Sequence, residues 1–240
     1  MDNFFVGYAP LTKVTRRRTL FVGIGLITLV VATGASIAKM QQAAGIGQWD
    51  PATQAHVQGL LLLNPYPVLH TVDGPVLLVR AGKHSAVEYV EAFHTSHVAI
   101  KGVPIERGGW RMLEVSKPTD VQAASPIDAI NSPETKRLGE FTLQGEIVDS
   151  KCYLGVMKPG AGKVHRACAA MCLAGGMPPM LVVTEASGDK YGYLLTDENG
   201  LSASQALVEH VALPVKITGQ LEERGDLTYL RIATDGVHRL

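Results

Sequence analysis

VAIKGVPIERGGWRMLEV, Val98 to Val115, and VKITGQLEERGDLTYLRI, Val215 to Ile232, can be laid one on the other without a gap. Gly102 then stands over Gly219, Arg107 over Arg224 and Gly108 over Gly225, at a constant offset of 117 residues. Self-similarity at a fixed spacing is the mark of one structural unit used twice. Alternation in VKITGQL and LTYLRI has the period of two of a half-buried strand, and Arg-Gly-Gly or Arg-Gly-Asp supplies the positive φ of a hairpin turn.

Upstream, Val57-Gln58-Gly59-Leu60 lies over Leu143-Gln144-Gly145-Glu146 at an offset of 86, so the second copy is longer by 31 residues between the anchors. Each copy also holds one helical stretch, Ser85 to Phe93 in the first and Ser202 to Val211 in the second, where Ser202 is placed to cap the helix. Strands, a helix and a closing hairpin follow the element order of a small Greek-key barrel of the oligonucleotide/oligosaccharide-binding (OB) kind. The expected fold is mainly β with short helices, in two tandem OB-like β-barrel modules at 50–115 and 140–240. Residues 116–139, punctuated by Pro118, Pro126 and Pro133, read as the linker between them.

Much of the excess in the second copy is an insertion at 152–177 that contains every cysteine: CYLGVMKPGAGKVHRACAAMC, Cys152 to Cys172. A module that folds once without a loop does not need that loop for its core, so the insertion is where binding or chemistry is expected. After a glycine-punctuated loop, VHRACAAMCLA reads as a helix stopped by Gly175 and Gly176, with Pro178 and Pro179 beyond. At 100° per residue His165, Cys168 and Cys172 fall within an arc of about 60°, and the loop can fold Cys152 over that face. The candidate metal ligands are therefore Cys152, His165, Cys168 and Cys172. Soft thiolates with one imidazole suit zinc in a closed tetrahedral site, and with a nearby Met157, Met171 or Met177 the set suits copper(I) or haem iron instead. His165 and Cys172 stand roughly 10.5 Å apart along such a helix, near the limit of their combined reach to one ion. The alternative is a disulfide from Cys152 to Cys168 or Cys172, leaving one thiol over.

Leu20 to Ala38, LFVGIGLITLVVATGASIA, is 19 residues without a charge, roughly 28 Å as a helix and close to the hydrocarbon thickness of a bilayer. Lys13, Arg16, Arg17 and Arg18 precede it while Lys39 alone follows at once, so the positive-inside tendency makes 1–19 a cytoplasmic N-terminus. The reading is a single-pass protein of the inner (plasma) membrane, with residues 20–38 in the lipid bilayer and the C-terminal region periplasmic. A cleaved signal peptide ending at Ser36-Ile37-Ala38 is the rival.

Charge narrows the function. With 22 basic and 22 acidic residues the chain lacks the electrostatic footprint of a nucleic-acid binder. No G-x-S-x-G, dinucleotide fingerprint or paired catalytic carboxylates occur. His94 and His97 make an i, i+3 pair with no thiol or carboxylate interleaved closely, which reads as surface histidines. The expectation is a non-enzymatic accessory protein or subunit, holding a metal or redox cofactor beside a membrane-protein partner in a redox system. A thiol/disulfide redox protein or sensor, and an interaction scaffold braced by a disulfide, are the other two readings.

Overall fold

The computed structural model describes residues 13–42 and 47–240. Residues 1–12 of the expected cytoplasmic segment lie outside the described residues. Helix α1, Lys13–Gln42, is long and apolar enough over Lys13–Ile37 to span a membrane. In this helix the hydroxyls of Thr19, Thr28, Thr33 and Ser36 each donate to the carbonyl four residues earlier, at 2.8 to 3.0 Å. These bonds satisfy the hydroxyls within the helix itself.

The rest is mainly β, two closed five-stranded barrels in tandem with the long apolar helix ahead of them. The first barrel uses β2 (Ala55–Leu62), β3 (Val68–Thr71), β4 (Gly74–Arg80), β5 (His97–Arg107) and β6 (Trp110–Val115), while β1 (Gln48–Trp49) and β7 (Val121–Ala123) pair on β5. Between β4 and β5 sits a single helical turn, α2 (Val87–Val90). The second barrel uses β8 (Thr135–Asp149), β9 (Pro179–Thr184), β10 (Lys190–Thr196), β11 (Pro214–Arg224) and β12 (Leu227–Arg239). In each the neighbours run first, second, third, fifth, fourth and back to first, and the third and fifth strands are parallel.

The repeat holds residue by residue. Leu77 pairs with Met112 and Leu194 with Tyr229; Val103 with Glu114 and Gln220 with Arg231; Ala55 with Gly102 and Phe141 with Gly219. Even the strained backbone recurs, since Thr95 (φ 62°) and Ala212 (φ 57°) are 117 residues apart. The repeated glycines explain why the pattern was visible in sequence. A Cβ on Gly59 would lie 2.1 Å from the His70 carbonyl oxygen, and one on Gly145 2.4 Å from that of Val182. Likewise a Cβ on Gly102 would meet the Glu114 carbonyl oxygen at 2.6 Å and one on Gly219 that of Arg231 at 2.2 Å. These are the places where a small barrel's strands pass too closely for any side chain.

Two expectations need correction. The predicted helix at Ser202–Val211 is a series of turns ending in a single 3₁₀ turn, Val208–His210. Ser202 is bridged to Thr196, the Ala203 N–H donates to the Tyr66 hydroxyl, and the Ser204 hydroxyl donates to the Met177 carbonyl. The groups that would have started a helix are committed elsewhere. The stretch 116–139 is also not all linker: Val121–Ala123 pairs on β5, and β8 begins at Thr135 opposite Arg224.

Each barrel has its own core. Leu61, Leu69, Leu78, Val98, Ile100 and Leu113 fill the first; Ile147, Leu181, Leu195, Val215, Ile217 and Leu230 fill the second. A third apolar cluster lies between them and uses equivalent positions of both: Leu77 with Leu194, Met112 with Tyr229, and Val68 beside Met180. The barrels therefore meet through the same face, as in an isologous interface within one chain. Tyr66 crosses this seam, 2 % exposed, its hydroxyl donating to the Leu195 carbonyl at 2.5 Å and accepting from the Ala203 N–H at 3.1 Å.

Gly145→Ala and Gly219→Ala should each lower the stability of the full chain by about 1 to 3 kcal/mol, as backbone must shift to admit the methyl group. Urea unfolding should show a lower midpoint at unchanged slope.

A thiol cluster at the seam between the barrels

The insertion leaves β8 after Asp149 and returns at β9, closed at its base by the Ser150 N–H donating to the Pro178 carbonyl. Cys152–Val156 form one wide helical turn where a loop was expected, and Gly155 breaks it with φ 157°. A 3₁₀ turn, Lys163–His165, then leads into helix α3, Arg166–Ala174. Ala169 and Leu173 of α3 join the core of the second barrel, whereas Cys172, Cys152 and Met177 face the seam.

The three sulfurs of Cys152, Cys168 and Cys172 all lie within 4.8 Å of one another, and all three cysteines are free. Three thiolates sharing one ion at about 2.3 Å stand about 4 Å apart, so this trio needs only small movements to converge. Cys152 and Cys172 are buried and Cys168 is half-buried, which leaves one side of the cluster open. His165 does not complete a single four-ligand group. Its Nε2 sits 3.0 Å from Asp149 Oδ2, and Asp149, Cys152 and His165 form a second close group that shares Cys152 with the first. The physical reason is that His165 ends a 3₁₀ turn ahead of α3, so it does not keep the helical phase that the sequence reading assumed.

Two residues absent from the sequence reading belong to the site. Asp149 is fully buried; its Oδ1 accepts the Cys152 N–H at 2.9 Å while Oδ2 faces His165, which fixes both the backbone of Cys152 and the ring. An acid three residues ahead of a cysteine was the available signal, the same spacing that caps a helical turn. Lys83 comes from the first barrel, on the connection after β4. Its Nζ is 2.7 Å from Cys168 Sγ and 3.7 Å from Cys172 Sγ. Nothing local announces it, because its partners are more than eighty residues away.

The connection that carries Lys83 is locked in place. Lys151, 3 % exposed, donates to the carbonyls of Arg80 and Gly82, each at 2.9 Å, and pairs with Glu114 Oε2 at 2.6 Å. The Ser85 N–H donates to the Gly175 carbonyl, and a Cβ on Gly175 would fall 1.7 Å from the Lys83 carbonyl oxygen. Arg107 adds a further tie, donating to the Tyr153 carbonyl at 2.6 Å with its guanidinium 4.2 Å from the ring centre. The insertion of one barrel is thus docked on the other.

Charge is distributed unevenly over the sulfurs. The hydrogen bond between Cys152 and Cys172 pushes the Cys152 thiol well up and is the main cause of a lowered Cys172; burial adds to the first and opposes the second. Lys83 also helps to lower Cys172, and its own ammonium form is held above the usual lysine range, chiefly by the bond to Cys168. The arrangement favours Cys152 as thiol donor and Cys172 as anion.

Fold and site together define a tandem-barrel protein with a buried thiol cluster at the seam between equivalent faces. No family model matches the chain, and no curated protein matches its sequence.

Lys151→Met should destabilise the chain by about 3 to 5 kcal/mol by leaving Glu114 buried without its cation. The double variant Lys151→Met, Glu114→Met should recover much of that loss, a coupling that a double-mutant cycle in urea measures directly.

Proposed function

We propose that this chain is a membrane-anchored accessory protein or subunit that holds one soft transition-metal ion on Cys152, Cys168 and Cys172. The observation that carries the reading is the convergence of all three sulfurs, from two separate elements, into one group free of disulfides. Thiolate trios suit copper(I) or zinc, and an orienting outer layer such as Asp149 and His165 is what ligand cysteines ordinarily have around them. His165 serves as a neighbour of Cys152 in this reading. Haem finds less support, because two of the three sulfurs are buried in a packed seam.

The wider assignment follows from the anchor. Residues 20–38 hold the chain in the inner membrane with both barrels on the periplasmic side, where a metal module of this size serves a neighbouring membrane redox protein. The strand order, with its parallel closure of third and fifth strands, supports an OB-like assignment for both barrels. Nucleic acid is not a partner in this reading, in keeping with the balanced charge.

Elemental analysis of the full chain in detergent, reconstituted under reducing conditions, should find one metal ion per chain. Cys152→Ser, Cys168→Ser and Cys172→Ser should each abolish it, and a wild-type chain that takes up no stoichiometric metal would sink the idea. Because binding displaces the proton favoured on Cys152, affinity should weaken as pH falls, which a competing chelator measures. A C-terminal alkaline phosphatase fusion should be active and a C-terminal green fluorescent protein fusion dark; the opposite pattern would reverse the topology.

A further inference from the structure

We infer that Lys83 is the residue that sets the metal preference of the thiol cluster, acting as a cationic cover that favours three-coordinate copper(I) over four-coordinate zinc(II). This rests on the metal reading above and extends it from a class of ions to one ion.

Three cysteines supply three ligands, and zinc in a closed protein site takes four. No other His, Cys, Asp or Glu among the described residues groups with all three sulfurs; Asp149 and His165, which group with Cys152, are held by each other at 3.0 Å, so in this arrangement a fourth ligand comes from outside as water or a small anion. Cys152 and Cys172 are 4 % and 1 % exposed, which closes their sides, and only the flank of half-buried Cys168 is open. That flank is where the Lys83 ammonium lies, against Cys168 and within 3.7 Å of Cys172. An ammonium group has three donors and no acceptor, so it cannot become the missing ligand. It occupies the approach without completing a tetrahedron.

Charge points the same way. Three thiolates give a complex of net charge minus two with copper(I) and minus one with zinc(II). A fixed cation beside the sulfurs stabilises the more negative complex more strongly, and partial burial limits screening of the difference. The backbone that carries Lys83 is held by Lys151 on the carbonyls of Arg80 and Gly82 and by Gly175 against the Lys83 carbonyl, and the ammonium is held by Cys168 Sγ at 2.7 Å and the Cys168 carbonyl at 3.5 Å. Soft thiolate ligands already suit copper(I), and geometry and charge at this one residue reinforce that selection.

Competitive titration of the full chain in detergent, with copper(I) under reducing conditions and with zinc(II), each against a chromogenic chelator, tests the inference. The wild type should prefer copper(I), and X-ray absorption should count three sulfurs around it. Lys83→Leu should shrink the ratio of copper(I) to zinc(II) affinity by about tenfold or more, and Lys83→His, which offers a fourth donor, should raise zinc(II) affinity outright. Lys83→Arg, which retains the cation, should keep most of the preference and serves if the leucine variant fails to fold. An unchanged ratio in Lys83→Leu or Lys83→His, or four-coordinate zinc bound as tightly as copper by the wild type, overturns the role of Lys83 while leaving a metal site standing. A wild type that binds neither ion overturns the metal reading and this inference with it.

Discussion

The seam between the barrels is the constraint from which the rest follows. Each barrel closes its own sheet and fills its own core, so neither needs the other for its ladder of strand hydrogen bonds. They join through apolar area on one outer face, where Leu77 meets the region of Leu194 and Met112 that of Tyr229, and hydrogen bonds from Tyr66, Arg107 and Lys151 cross it. Because the two copies present equivalent strands, the contact is complementary by construction, and only one copy had to change for something new to fit there. The change is the insertion after β8. In the first barrel the same connection is only residues 63–67, and Tyr66 fills its share of the seam. In the second it has become a turn, a loop and a helix.

That placement explains why the charged side chains around the thiols, Asp149, Lys151, His165 and Glu114, are buried and still paired. Asp149, Lys151, His165 and Glu114 would each be costly inside a protein if unpaired. Here Asp149 serves both Cys152 and His165, while Lys151 serves Glu114 and two carbonyls of the opposite barrel. The result is a polar layer that ties insertion to neighbour by direction as well as by area. An apolar seam alone tolerates sliding, whereas these bonds fix the register in which Lys83 reaches Cys168.

The repeat was legible because its strongest marks are steric. Gly59, Gly102, Gly145 and Gly219 stand where a side chain would strike a neighbouring carbonyl, and such positions survive as a spacing in sequence. The insertion was legible as an excess of one copy over the other. What escaped were the contacts made across the seam. Ser202 resembled a helix cap, but the residues after it are drawn to Tyr66 and Met177. His165 lay on the cysteine face of an ideal helix, yet the chain enters α3 through a tighter turn that gives its ring to Asp149. Lys83 aligns with Gly200 in the other copy and carries no local sign of its partners. Local rules reach a few residues along the chain; these partners are set by which faces of two folded barrels meet.

A cluster shared in this way links the charge on the sulfurs to the packing of the barrels. The sulfurs come from one module and the cation beside them from the other, so whatever changes the charge on the sulfurs changes the interaction with Lys83 and therefore the free energy of the seam. Linkage makes the dependence reciprocal: a perturbation that separates the barrels must alter the affinity of the thiols for a cation by the same free energy. Had the cluster been built wholly inside one barrel, the charge on the sulfurs and the docking of the barrels could be independent. Here the geometry does not allow it, because the open flank of Cys168 is closed by the neighbouring barrel's lysine. The tandem arrangement therefore couples the thiols to the barrel that contains none of them.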